Sequence, residues 1–158
     1  MSKRKNLTAA FLIVLLLGTI AVLAVSVLRQ QELNTSSRAL AIDITQQILS
    51  RDPQTQAPNA GALMDNAHPA LLQRRFASGA DGYIGMIFRT LGDLQVIENI
   101  TGSSRVPLFM FSDEIPSADY SLDTVFSNGP SKVEIKMLYE QDRWLIDDFT
   151  VASELMVF

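Results

Sequence analysis

One histidine, no cysteine and seventeen carboxylates are what this 158-residue chain offers for chemistry. Without cysteine there is no thiolate nucleophile, no disulfide framework and no zinc finger. With His68 as the sole imidazole, a metal site would rest on carboxylates, which suit calcium or magnesium, and no acidic run has calcium-loop spacing. No metal and no cofactor is therefore expected. An acid–base pair of the isomerase kind needs a carboxylate of raised pKa beside a hydrogen-bond donor. Asp43, Tyr83, Tyr120 and Asp123 are the residues that could supply one. Each also has a plainer role. Tyr83 and Tyr120 suit a core with a satisfied hydroxyl, Asp43, Asp119 and Asp123 a solvated face, and His68 a helix cap before Pro69. The chain has no Gly-x-Ser-x-Gly elbow, no phosphate loop ending in Lys-Ser/Thr and no dinucleotide fingerprint. The expectation is a protein that is not an enzyme.

The elements that would position these residues fall into two blocks behind an apolar segment. Leu7 to Leu28 is an uncharged run of 22 residues, of which only Thr8, Gly18, Thr19 and Ser26 are not apolar. As a helix it reaches about 33 Å, enough for a hydrocarbon core of about 30 Å. Lys3, Arg4 and Lys5 precede it. The positive-inside rule puts residues 1–6 in the cytoplasm and residues 29–158 across the membrane. A cleaved signal peptide ending near Ala24-Val25-Ser26 is the competing reading, but a signal core spans about 7–15 residues, so the length favours a retained anchor. The absence of cysteine from an exported domain favours a bacterial envelope, and the expected location is the inner membrane.

Leu33, Ser37, Leu40, Ala41, Ile44 and Ile48 form one helical stripe, ended by Asp52-Pro53. The anchor can run straight into this helix, with Asn34-Thr35-Ser36-Ser37 as the favoured place for a break. Residues 53–61 read as a loop. Short helices are expected at Ala62–Ala67 and Pro69–Phe76, and a longer one at Tyr83–Leu91 that stops at Gly92. The period then changes to two. Leu94 to Thr101 is a first strand, Gly102-Ser103-Ser104 a turn, and Val106 to Phe111 a weaker strand because of Pro107. Tyr120, Leu122, Thr124 and Phe126 alternate with polar neighbours, Asn128-Gly129 signals a hairpin, and Val133 to Tyr139 is the cleanest strand. After Gln141-Asp142 comes a last strand, with Trp144 and Ile146 expected on one face and Leu145, Phe149 and Val151 on the other. Helices followed by an antiparallel meander imply an α+β domain, with a helical layer (32–91) on one face of a curved sheet (93–152).

The Leu91-Gly92 helix end, the antiparallel run and the closing Trp144-x-Ile146-x-x-Phe149-x-Val151 strand resemble the NTF2-like (cystatin-like) superfamily, in particular its small exported bacterial domains. The resemblance spans roughly residues 33–152. It implies a sheet wrapped round helices as a cone, whose open end can hold a small apolar ligand lined here by Asp43, Tyr83, Phe88, Tyr120 and Trp144. Some members are isomerases or dehydratases; others bind ligands or partners, or assemble secretion machinery.

Charge narrows the partners. Residues 29–105 balance seven basic against seven acidic side chains, whereas residues 106–158 carry three against ten. A net −7 disfavours nucleic acid. The expected role is a non-catalytic binding or assembly module, tethered through residues 7–28, with an envelope protein or a second copy as partner. The apolar end, Leu155 to Phe158, is expected to fold back on the helices or to meet a subunit. A small-molecule-binding or isomerase-like domain using the cone is the alternative.

Overall fold

The computed structural model describes residues 2–107 and 114–156, with side chains from residue 13 onward. A single helix, α1 (Ser2–Ile48), carries both the apolar run and the first amphipathic stripe. At 47 residues it is about 70 Å long. It is long and apolar enough to cross a membrane. From Ile13 to Leu28 its large apolar side chains are exposed, half or more in most cases. At Leu33 burial becomes one-sided, through Ser37, Ala41, Ile44, Thr45 and Ile48. No break occurs at Asn34–Ser37.

Two short helices follow, α2 (Ala60–Asn66) and α3 (Pro69–Arg75), then α4 (Asp81–Leu91). Helix α2 starts two residues earlier than its sequence pattern suggests. In α3, Pro69 takes the first position and His68 Nδ1 accepts the Ala70 N–H at 3.2 Å, closing the helix entry. Ile84, Ile87, Phe88 and Leu91 form the buried face of α4. Gly85 lies between them, and a methyl group there would meet nothing within 4 Å. Gly85→Ala is therefore expected to stabilise the protein by about 0.5–1 kcal/mol, read as a raised midpoint in denaturant.

Four strands, β1 (Leu94–Arg105), β2 (Ser117–Phe126), β3 (Gly129–Glu140) and β4 (Arg143–Ala152), pair in chain order as an antiparallel meander. Three details depart from the sequence reading. Strand β1 does not turn at Gly102 but continues to Arg105, in register with Ser117–Tyr120 of β2. The hairpin between β2 and β3 turns on Ser127-Asn128, one residue early, because Gly129 already pairs with Phe126. And β4 is bulged: Ile146 faces Met137 and Asp148 faces Lys136, leaving Asp147 without an opposite residue. The extra residue changes the phase of the strand. Trp144 and Ile146 therefore share a face with Phe149 and Val151 rather than opposing them, and Leu145 points the other way, paired with Leu138. Two further register shifts bend β1.

The inward face of the sheet packs on the helices. Leu122, Phe126, Val133, Ile135, Met137 and Phe149 meet Ile44, Ile48, Leu63, Leu71, Ile84 and Ile87 in one core. Of the weaker strand candidate Val106–Phe111, Val106 and Pro107 lie outside the strands and the remainder lies outside the described residues. So do Val157 and Phe158. Met156 packs against the core and Leu155 stays half exposed.

Candidate functional site

The five residues expected around a cone stand in different places. Asp43 is exposed on α1 and accepts a hydrogen bond from Gln47 at 2.8 Å. Phe88 is buried on α4, with the Arg51 guanidinium 4.9 Å over its ring. Tyr83, also on α4, reaches the edge strand: its hydroxyl oxygen accepts the Val151 N–H at 3.0 Å. Only Tyr120 and Trp144 come to one place, the turn of α1 formed by Asn34, Ser36 and Ser37.

That turn makes polar contacts with three strands. Ser37 is fully buried and its Oγ lies 2.8 Å from the Tyr120 hydroxyl. Trp144 Nε1 donates to Ser36 Oγ at 3.3 Å. Asn34 Oδ1 accepts the Ser104 N–H at 3.1 Å, and Arg38 donates to the Ile100 carbonyl at 3.2 Å. One and a half helical turns thus hold β1, β2 and β4. A polar run at this point reads as a helix break from local preference alone. Here Asn34, Ser36 and Ser37 are instead each bonded to a strand, and the helix continues. The signal available in the sequence was Ser37 itself: a hydroxyl on an apolar stripe is buried, and a buried hydroxyl needs a partner.

The same logic operates at the sheet edges. Along β4 the His68 N–H donates to the Ile146 carbonyl at 2.7 Å, Arg74 to the Asp147 carbonyl at 2.9 Å and Arg75 to the Phe149 carbonyl at 3.3 Å. Arg74 and Arg75 also pair with the carboxylates of Asp147 and Asp148 at 2.9 and 2.6 Å. Arg75 lies 5.4 Å over the Tyr83 ring. Burial pushes the Tyr83 phenol above its usual 10, opposed by the Val151 N–H and the Arg75 charge. On β1 two backbone groups are held in the same way, the Ser104 N–H by Asn34 and the Ile100 carbonyl by Arg38. Tyr83→Phe leaves the Val151 N–H without its acceptor, and is expected to cost about 1–3 kcal/mol and to speed exchange of that amide.

His68 Nε2 lies 3.4 Å from Glu140, and the ring caps α3 through its other nitrogen. Both contacts are structural. At the far end of α1, Asp52 Oδ1 accepts the N–H groups of Thr55 and Gln54 at 2.7 and 2.8 Å, and these bonds hold its carboxyl below the usual 3.8. A depressed folded value means the turn is supported above pH 3.8 and loses that support as the pH falls through the lower folded value. The Thr55 amide shift is expected to titrate with a midpoint below 3.8, and Asp52→Ala to abolish that titration. Among the described residues, no three histidine or carboxylate side chains gather closely enough to hold a metal ion.

What this arrangement does is fix a sheet to an apolar helix. Comparison of the chain with protein-family models, curated proteins and solved structures finds no match.

Proposed function

We propose that this chain is a single-pass protein of the bacterial inner membrane, with its N-terminus in the cytoplasm. Its NTF2-like domain works on the far side as a non-catalytic, tethered binding or assembly module for an envelope protein or a second copy. The observation that carries this reading is the unbroken α1, in which the apolar run leads directly into the buried stripe that begins at Leu33. The Ala24–Ser26 segment lies inside that helix. Lys3, Arg4 and Lys5 on its N-terminal side supply the orientation. The NTF2-like assignment is supported by helices followed by a four-stranded meander, and by the closing Trp144, Ile146, Phe149 and Val151 on the inward face. The binding-module role is supported by how that face is filled: Leu122, Ile135 and Phe149 are wholly buried against α1 and α4.

Two experiments test it. A reporter enzyme active only outside the cytoplasm, fused after Phe158, is expected to be active; a stable but inactive fusion overturns the orientation. The full chain, crosslinked in membranes and purified in detergent, is expected to carry a stoichiometric partner or a second copy. A lone monomer overturns the assembly role.

A further inference from the structure

A groove of about 330 Å³ opens where α1 meets the turn between β3 and β4. Arg29, Glu32, Leu33 and Ser36 line it from the helix. Their spacing of three, four and seven residues places them on one face. Tyr139, Asp142, Arg143 and Trp144 line it from the hairpin. The aromatic wall is rigid: Tyr139 and Trp144 pack edge to face at 5.2 Å, and Trp144 is tied to Ser36. The four charged residues differ from the arginines that brace the end of α1 and the β4 edge. Arg51, Arg74 and Arg75 have carboxylate partners. Among the described residues, Arg29, Glu32, Asp142 and Arg143 have none, and all four are exposed.

Its height limits what the groove can meet. Arg29 is the first residue after the apolar run that ends at Leu28. Along a helix rising about 1.5 Å per residue, the lining from Arg29 to Ser36 lies about 2–12 Å beyond that end. The polar layer of a bilayer occupies about 5–8 Å on each side of the hydrocarbon. Tyrosine, tryptophan and arginine are the side chains that settle at this depth. The charge pattern limits the ligand further. Two guanidinium groups suit a phosphate. Two carboxylates in the same groove oppose a purely anionic headgroup, and they suit a primary ammonium that donates hydrogen bonds.

We propose that this groove binds the headgroup of a zwitterionic phospholipid, with its phosphate on Arg29 and Arg143 and its primary ammonium on Glu32 and Asp142. The proposal rests on the reading of α1 as a retained anchor. It makes the lipid a third wall of the junction, bracing the hairpin against the helix at the membrane surface.

The test uses the full chain in nanodiscs of equal phosphatidylethanolamine and phosphatidylglycerol, followed by native mass spectrometry of the lipid that stays with it. Phosphatidylethanolamine is expected to be retained at least tenfold over phosphatidylglycerol. Arg29→Gln with Arg143→Gln is expected to lose both lipids. Glu32→Gln with Asp142→Asn is expected to reverse the preference toward phosphatidylglycerol. All four positions are exposed, and unchanged circular dichroism melts establish that the variants fold. Equal retention of the two lipids by the wild type, or variants that behave as the wild type does, overturns the headgroup site while leaving the anchor intact. A chain released from membranes by carbonate overturns the anchor, and the site with it.

Discussion

Gly102→Ala is expected to cost about 3–5 kcal/mol. Gly102 has φ +122°, a conformation that side chains rarely adopt. A Cβ built on it would stand 2.1 Å from the Asp119 carbonyl oxygen and 2.9 Å from the Tyr120 Cα. Both neighbours are backbone of the paired strand β2, so no side chain can rotate away. The conflict has to be relieved by separating β1 from β2 at the register position that carries Tyr120. Tyr120 holds Ser37 of α1, and the damage therefore reaches the helix. Thermal melts of the detergent-solubilised full chain are expected to fall by about 10 °C or more. Gly85→Ala, moving the other way, shows that the loss belongs to the site and not to the added methyl group. An alanine at 102 that leaves the melting point unchanged would mean that β1 ends before Gly102, as its turn-like sequence suggests.

Trp144→Ala is expected to cost a similar amount, about 3–5 kcal/mol. Trp144 is the only tryptophan, buried at 6% exposure between α1 and the Tyr139 ring. Truncation removes the ring from the core and leaves Ser36 Oγ without its indole donor. Trp144→Phe keeps most of the packing and loses the hydrogen bond alone, for about 1 kcal/mol. Denaturant midpoints followed by circular dichroism separate the two, since neither variant retains the fluorophore. Equal and small losses would mean that the hairpin does not depend on the helix. The wild-type indole supplies its own check: its emission is expected to move to longer wavelength as the hairpin detaches.

These two residues mark what could and could not be read in the chain. Period two was legible in β2 and β3, where Tyr120 to Phe126 and Val133 to Met137 alternate between buried and more open positions, and only Leu138 broke the pattern toward Tyr139. The helix entry at His68-Pro69 and the stop at Gly92 were legible because caps are local chemistry. The faces of β4 were not. A bulge adds one residue without changing the composition, so Asp147 makes Phe149 and Val151 look as if they oppose Trp144 and Ile146. Gly102 looked like a turn because the reason for a glycine lies 17 residues away, in the backbone of Asp119. Asn34 to Ser37 looked like a break because their partners lie on strands 70 or more residues further on. For the candidate site, residue type pointed to Tyr120 and Trp144, which do meet at one turn of α1. It gave no sign of the unpaired charges of Arg29, Glu32, Asp142 and Arg143, because pairing is decided only once the hairpin is laid against the helix.

The uninterrupted α1 has a mechanical consequence. A helix without proline or glycine from Ile20 to Ile48 transmits torque, so the azimuth of the sheet about the axis of α1 is set by the rotational phase of its apolar half. One residue inserted near Gln31 would swing the sheet by about 100° and lift it by about 1.5 Å, leaving the core and the composition of the apolar run untouched. Four residues inserted there would bring it nearly back to its starting direction, about 6 Å higher. Under the proposed anchoring, a partner fixed in the same membrane would thus meet the domain on one bearing, and would lose and regain it with the period of the helix.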